Sequence, residues 1–273
     1  MNDILQVTMP NRALTACFAF AAGAIISGSV DLQIVVLGML MIVSTYCSAA
    51  VYNNIRDVDG DKVNSPERPL PSGRMSIRFA WTMMFVLIAM GFLFGYLASP
   101  FLTLVNLAYI FFGVLYSKYT KSVWIFSYAT LVTTHIAIPL LSGYLVFEAL
   151  DPKIITIIGF VYLTEVLAFS LKDYKDIEGD RKMHMDTLPI VFEKKTAVRI
   201  TAAGLTMPLL ISWIPWHVLA LSSHFIVFYF IAGAIRFRYA RRLMQDPSPA
   251  SAGDILKNFR YVLLAEMVAW CLA

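Results

Sequence analysis

The 273 residues are 59% hydrophobic and only 15% charged, with a mean hydropathy of +0.69, more apolar residue than a soluble domain of this length needs for its core. The formal net charge of +4 arises from 22 Lys and Arg against 18 Asp and Glu, mixed together over several loops rather than gathered on one face. That balance excludes a soluble globular domain, argues against a nucleic-acid partner and places the chain in a bilayer.

Crossing the hydrocarbon core takes roughly 20 predominantly apolar residues per helix. Apolar segments of about this length run over 12–29, 33–53, 77–97, 100–117, 123–147, 153–171, 196–214, 217–235 and 258–273, which predicts an all-α, polytopic bundle of about nine transmembrane helices. The last segment is the weakest, being short and carrying Glu266. The opening residues, MNDILQVTMPNR, lack a basic region followed by an apolar stretch and a small-residue cleavage site, so the first segment is expected to be retained. Cys17, Cys47 and Cys271 sit inside apolar segments without paired spacing and read as small core residues, neither disulfides nor zinc ligands.

The positive charges orient the bundle. If the N-terminus and the connections after the second, fourth, sixth and eighth segments share one side, that side holds every Lys and Arg except Lys153. The positive-inside rule puts that side in the cytoplasm.

Two of these connections carry the chemistry. The first, YNNIRDVDGDKVNSPERPLPSGRMS over 52–76, spaces Asn53, Asp57 and Asp61 at i, i+4 and i+8, one face of a continued second helix. The second, LKDYKDIEGDRKMHMDTLPI over 171–190, spaces Asp173, Asp176 and Asp180 at i, i+3 and i+7, again one face of a helical extension. Two carboxylate stripes at matched helix ends repel each other unless cations lie between them. An all-oxygen donor set selects a hard ion, Mg²⁺ first, and Mg²⁺ characteristically completes its shell with phosphate oxygens. The ordinary alternative is a set of solvated loop acids. The matched positions, four helices apart, favour a shared site and suggest that helices 1–4 and 5–8 are related halves of a single domain spanning 1–273. Nearby cations, Arg56, Lys62, Arg68, Arg74, Lys118, Lys121, Lys172, Lys175 and Arg181, can meet phosphate oxygens, with Arg68 and Lys121 the preferred candidates. Pro66, Pro69, Pro71 and Gly73 predict a tight loop capping a cavity.

Asn53 to Asp61 followed by NSPERPLPSGRMS, and Lys172 to Asp180 followed by TLPI, resemble the two signatures of the UbiA superfamily of intramembrane prenyltransferases. The resemblance covers most of the chain. It implies nine transmembrane helices around a central cavity, capped on the cytoplasmic side by the motif loops. It also implies two Mg²⁺ ions and the diphosphate of a prenyl donor at Asn53, Asp57, Asp61, Asp176 and Asp180, with Asp173 beside them, and a prenyl tail in an apolar tunnel open to lipid. The reaction implied is Mg²⁺-dependent transfer of the prenyl group to a lipid or aromatic acceptor with release of diphosphate. Three departures stand out. The family's Arg-Pro-x-Asn opening is here Met9-Pro10-Asn11-Arg12, which leaves Asn11 as a candidate. Its Tyr-x-x-x-Lys element is replaced by Tyr116 and Lys121 at a longer spacing. The loop between the first motif and RPLPSG is short, as in the lipid, tocopherol and chlorophyll branches, including digeranylgeranylglyceryl phosphate synthases.

Polar residues inside the helices are candidates for the acceptor pocket. Glu165, on the face shared with Asp173 and Asp176, and His135 with Thr133 and Thr134 are expected to line the cavity, since an ionisable group at that depth is costly without a role; interhelical hydrogen bonding is the plainer alternative. His184 and His217 fall in loop or interface positions. The competing functions are a terpene cyclase using the same diphosphate site and, from another class, a transporter or a lipid-binding scaffold. Carboxylates at helix ends rather than at a broken-helix midplane site disfavour the transporter.

Overall fold

The computed structural model describes residues 3–273, apart from the side chains of Val63 and Asn64. Nine long helices carry the described residues: α1 Leu14–Ser27, α2 Leu32–Arg56, α3 Ile77–Ala98, α4 Pro100–Thr120, α5 Trp124–Leu145, α6 Pro152–Lys175, α7 Lys194–Ile211, α8 Ser223–Gln245 and α9 Pro249–Cys271. Among the described residues there is no strand, only an isolated bridge between Val123 and Asp186.

Most starts follow a capping rule legible in the sequence. Asp31, Ser76, Ser99, Asp151, Ser222 and Ser248 each accept a backbone N–H with their side chain, and Pro follows at 100, 152 and 249, where its missing N–H costs nothing. Seven helices are long and apolar enough to cross a membrane: α2 to α6, α1 with the residues leading into it, and α7 with those following it. The other two, α8 and α9, have the same length but carry more charge. They also depart from the expected boundaries. The start expected at 217 moves to Ser223, because Trp213–Val218 forms a separate short helix; the start expected at 258 moves back to Pro249, because the first turns of α9 are polar and invisible to hydropathy.

Packing closes the helices into a ring. The last helix, α9, packs on α8 and returns to α1, while α1 crosses the second half of α5. That crossing is set by paired glycines: a Cβ at Gly23 would strike the Leu140 carbonyl, and one at Gly143 would strike the Phe20 carbonyl. The backbones therefore touch, as small residues permit in membrane bundles. Phe85, Leu93, Tyr96 and Phe111 on α3 and α4 are exposed, as a lipid-facing surface requires.

Part of the charge on α8 and α9 lies inside the bundle. Arg236 is fully buried; its Nη1 pairs with Glu165 Oε1 of α6 at 2.6 Å and with both Glu266 oxygens of α9 at 2.9 and 3.0 Å. Its remaining N–H groups donate to the carbonyls of Thr164, Gly204 and Leu205 at 3.1, 3.4 and 3.2 Å. Two expectations are corrected here. Arg236 is an interior cation, not a topology-setting loop charge. Glu165 faces this arginine and does not line the cavity; the cost of its depth is met by an ion pair, the ordinary alternative of interhelical bonding.

Replacing Arg236 by Met leaves two buried glutamates uncompensated, and such a loss costs about 3–5 kcal/mol. R236M is expected to melt well below the parent protein in detergent, and the triple change E165L/R236M/E266L to regain most of the loss. An unchanged melting temperature for R236M would rule out the triad as a stabilising lock.

Candidate active site

The two motif loops are brought together by short helices that neither motif was expected to form. The second-helix extension breaks at Asp57, which ends α2 and precedes the helix Val58–Asn64. The sixth helix loosens from α to 3-10 form over Ala168–Lys175, breaks at Asp176 and resumes as Ile177–Lys182. The expected straight extensions are thus corrected, yet Val58–Asn64 packs on Ile177–Lys182 and the two acidic clusters face one cavity. The proline loop is ordered as expected: backbone bonds run from Arg68 N to Ser65 O, Gly73 N to Leu70 O and Met75 N to Pro69 O, with Gly73 at φ 76° and Leu70 and Met75 buried. On the other side, Trp124 N and Asp186 N exchange bonds with Asp186 O and Ser122 O, pinning the chain after the second motif to the start of α5.

The cavity has a volume of about 670 Å³, the size of a small-molecule site. Asn53, Asp57, Asp61, Arg68, Lys121, Lys172, Asp173, Asp176 and Asp180 line its polar part; Tyr109, Leu131, Phe169, Phe259, Leu263 and Leu264 are among its apolar walls. Asn11, Tyr116, Thr134 and His135 line it as well, whereas Glu165, Thr133 and the loop cations Arg56, Lys62, Arg74, Lys118 and Arg181 are not among its lining residues. Tyr46 shares a hydrogen bond with His135 Nε2 at 3.0 Å. The spacing of Tyr116 and Lys121 has a structural reason: Tyr116–Thr120 is a π-turn in which Lys121 N bonds to Tyr116 O, an insertion typical of functional sites.

Every acid of the first motif is held by a cation. Arg68 Nη1 grips both Asp61 oxygens at 2.9 and 2.7 Å; Asp57 is engaged by Lys121 and by Asn53 Nδ2, the latter at 2.8 Å. In the second motif Asp173 is buried, accepting from Tyr128 and from Lys172, each at 2.5 Å, and Tyr128 in turn accepts from Leu188 N at 3.3 Å. Asp176 pairs with Lys175 at 2.7 Å, whereas Asp180 has no ion pair among the described residues. Burial pushes the Asp180 carboxyl up to about 6, and the charges of Asp173 and Asp176 add to that rise against the pull of Lys172. Burial likewise raises Asp61, against Arg68. For Lys121 burial acts downward, but the Asp57 carboxylate outweighs it and the shift is upward. Tyr128, Arg12, Lys257 and Arg260 are cavity or site residues that sequence reasoning did not single out. Only Lys257 and Arg260, cations one turn apart at the start of an otherwise apolar segment, left a signal.

The residues fit a divalent cation of the Mg²⁺ type. Among the described residues no three acidic, His or Cys side chains form a ready cage. Mg²⁺ does not need one, since it binds through one or two carboxylates with waters and phosphates supplying the rest. The donors are oxygens, and burial, with the charges of Asp173 and Asp176 adding to it, holds the Asp180 carboxyl up; a cation would relieve the repulsion.

The model of the UbiA prenyltransferase family matches residues 13–264. The chain therefore belongs to that family, and it is a multi-pass membrane prenyltransferase. The digeranylgeranylglyceryl phosphate synthase of Methanosphaera stadtmanae is 25% identical to it, over 100% of this chain and 99% of the synthase. The chloroplastic 2-acyl-4-prenylphloroglucinol 6-prenyltransferase of Humulus lupulus is 29% identical over 60% of this chain and 43% of its own. A UbiA homolog from Archaeoglobus fulgidus, solved bound to DMAPP and Mg²⁺, shares the fold with a TM-score of 0.74 at 18% identity, covering 98% of this chain and 99% of that one.

The raised Asp180 pKa carries a stability consequence of definite sign. In metal-free protein the folded state holds this proton more tightly than the unfolded chain, whose value is near 3.8. The contribution favours folding below that value and is lost as pH rises through about 6. In EDTA at neutral pH, Asp180→Asn is therefore expected to melt above the parent, with the gap closing as pH falls toward about 4. A gap that is constant over that range would refute the assignment.

Proposed function

We propose that this prenyltransferase moves the prenyl group of a prenyl diphosphate to a hydrophobic acceptor in a Mg²⁺-dependent reaction of lipid biosynthesis, akin to digeranylgeranylglyceryl phosphate synthesis. One observation carries the reading: two acidic clusters, from the ends of α2 and α6, face a single cavity whose remaining walls are largely apolar. Support also comes from the Methanosphaera stadtmanae synthase, which aligns over the whole chain, and from the Archaeoglobus fulgidus homolog, solved with DMAPP and Mg²⁺. The cavity mouth is assigned to the cytoplasm on the charge asymmetry of the connections.

Asn53, Asp57, Asp61, Asp176 and Asp180 would hold the metal, which when bound supplies neutralisation of the charge gathering on the departing diphosphate. Arg68, Lys121 and Lys172 are placed to meet phosphate oxygens directly. Each now contacts an aspartate, so diphosphate binding exchanges one oxygen partner for another without moving the cation far. Asp173 acts differently from the other acids: with both oxygens committed to Tyr128 and Lys172, it positions Lys172. The bond from C1 of the prenyl chain to the diphosphate oxygen breaks with its electron pair on the diphosphate. The acceptor's nucleophilic atom bonds to C1 and its proton passes to water. Leu131, Phe169, Tyr109 and Leu263 shield the intervening allylic cation from solvent, and the aromatic rings favour its charge.

Purified protein is to be offered geranyl, farnesyl and geranylgeranyl diphosphates with Mg²⁺ and a panel of glycerol-phosphate and aromatic acceptors, and the products read by mass spectrometry. A prenylated acceptor is expected, and Asp57→Ala or Asp176→Ala should lower kcat/KM by about 10²-fold or more. A cyclic hydrocarbon formed with no acceptor present would replace the transferase reading with the cyclase one.

A further inference from the structure

The Asp173 carboxylate is buried, with a side-chain exposure of 3%, and among the described residues two side chains donate to it. Lys172 takes Oδ1 and the Tyr128 hydroxyl takes Oδ2, each at 2.5 Å. The two donors come from different places. Lys172 is the neighbour of Asp173 on the 3-10 segment and lines the cavity, whereas Tyr128 stands on α5, is fully buried and is not among the lining residues. The same hydroxyl accepts the Leu188 N–H at 3.3 Å, so its one proton is directed at Asp173. Its helix is anchored one turn earlier, where Trp124 N donates to Asp186 O at 3.0 Å and the Trp124 ring meets Phe192 at 5.6 Å. The Lys172 ammonium lies 5.6 Å from the centre of the Tyr128 ring. One tyrosine therefore touches both flanks of the second acidic motif, Lys172 and Asp173 before it and Leu188 after it.

A buried carboxylate stripped of its donors is costly. If Lys172 were the sole donor, turning it toward a phosphate would leave Asp173 bare, and the lysine would be held back by the acid beside it. We propose that Tyr128 is a positioning residue for the prenyl donor: by keeping one hydrogen bond on Asp173, it lets Lys172 pass to a diphosphate oxygen. The arrangement also limits the loss of freedom on binding. The Tyr128 ring beside the ammonium and the fixed Oδ1 hold the flexible four-carbon stem of Lys172 at the cavity wall before any ligand arrives. The inference rests on the prenyl diphosphate reading of the cavity and deepens it, adding a residue from a helix that carries neither motif.

The test measures binding of farnesyl thiodiphosphate, a slowly reacting donor analogue, to the full chain in detergent with Mg²⁺. Y128F keeps the ring and removes the hydroxyl, and is expected to weaken binding about ten-fold. K172M should weaken it by at least as much. Because Tyr128 acts through Lys172, the double variant Y128F/K172M should bind within about two-fold of K172M alone. Y128H, which returns an N–H donor to the same slot, should bind within about three-fold of the parent. Y229F removes another buried hydroxyl, one that accepts from Trp270 at 2.9 Å and does not line the cavity, and should leave the affinity unchanged. Should Y128F not fold, Y128M fills the slot without a donor and carries the same cycle. An unaltered affinity on loss of the hydroxyl, multiplied losses in the double variant, or an equal loss in Y229F would overturn the role of Tyr128. A parent protein that does not bind the analogue would overturn the prenyl diphosphate reading itself, whereas multiplied losses in a tightly binding parent would overturn the positioning role alone.

Discussion

The bundle turns on one guanidinium. Arg236 reaches glutamates on two other helices and three backbone carbonyls, so α6, α7, α8 and α9 are tied at a single buried point. Inside a membrane, where water cannot satisfy loose polar groups, such a knot has strong directional preference. It also sits at a chemically useful place. Thr164 lies in the last turn of the α-helical part of α6, where carbonyls begin to lose their i+4 partners, and Arg236 supplies a donor there. Just beyond that point the backbone tightens into the 3-10 segment that delivers Lys172 and Asp173 to the cavity.

The cavity follows the same logic with opposite intent. Its motif acids are held by nearby cations and amides, except Asp180, and those cations are the groups suited to phosphate. The protein thus keeps a dense cluster of charge near a lipid environment by pairing it provisionally. Irregular backbone recurs wherever a side chain must be aimed: the π-turn before Lys121, a second π-turn at Thr133–Ala137 carrying Thr134 and His135, and the breaks at Asp57 and Asp176.

The membrane class, the seven strongly apolar helices and both acidic clusters were legible in the sequence because each has a local cause: run length, capping residues, or carboxylates at helical spacing. The departures have equally specific causes. Residues 249–257 begin α9 under a Ser248 cap, but their polarity hides them from a hydropathy reading. Glu165 and Arg236 are 71 positions apart, and only the packing of α6 on α7 and α8 reveals that the buried glutamate has a buried partner. The mismatch between Tyr116 and Lys121 is a mismatch only on an α-helix. Tyr128 carries no sequence signal, since its role depends on Asp173 arriving from another helix.

The glycine crossing of α1 and α5 divides the molecule by its tolerance of change. At Gly23 and Gly143 each backbone fills the space a methyl group would need on the other, and a single alteration on either helix cannot be answered by a smaller residue opposite. Neither glycine borders the cavity. Rigidity is therefore concentrated where no substrate is seated, while apolar side chains such as Leu131, Leu263 and Leu264 can be exchanged for others of different bulk without disturbing that seam. A scaffold partitioned in this way can acquire new molecular clients by drift along its inner surface while its architecture stays fixed.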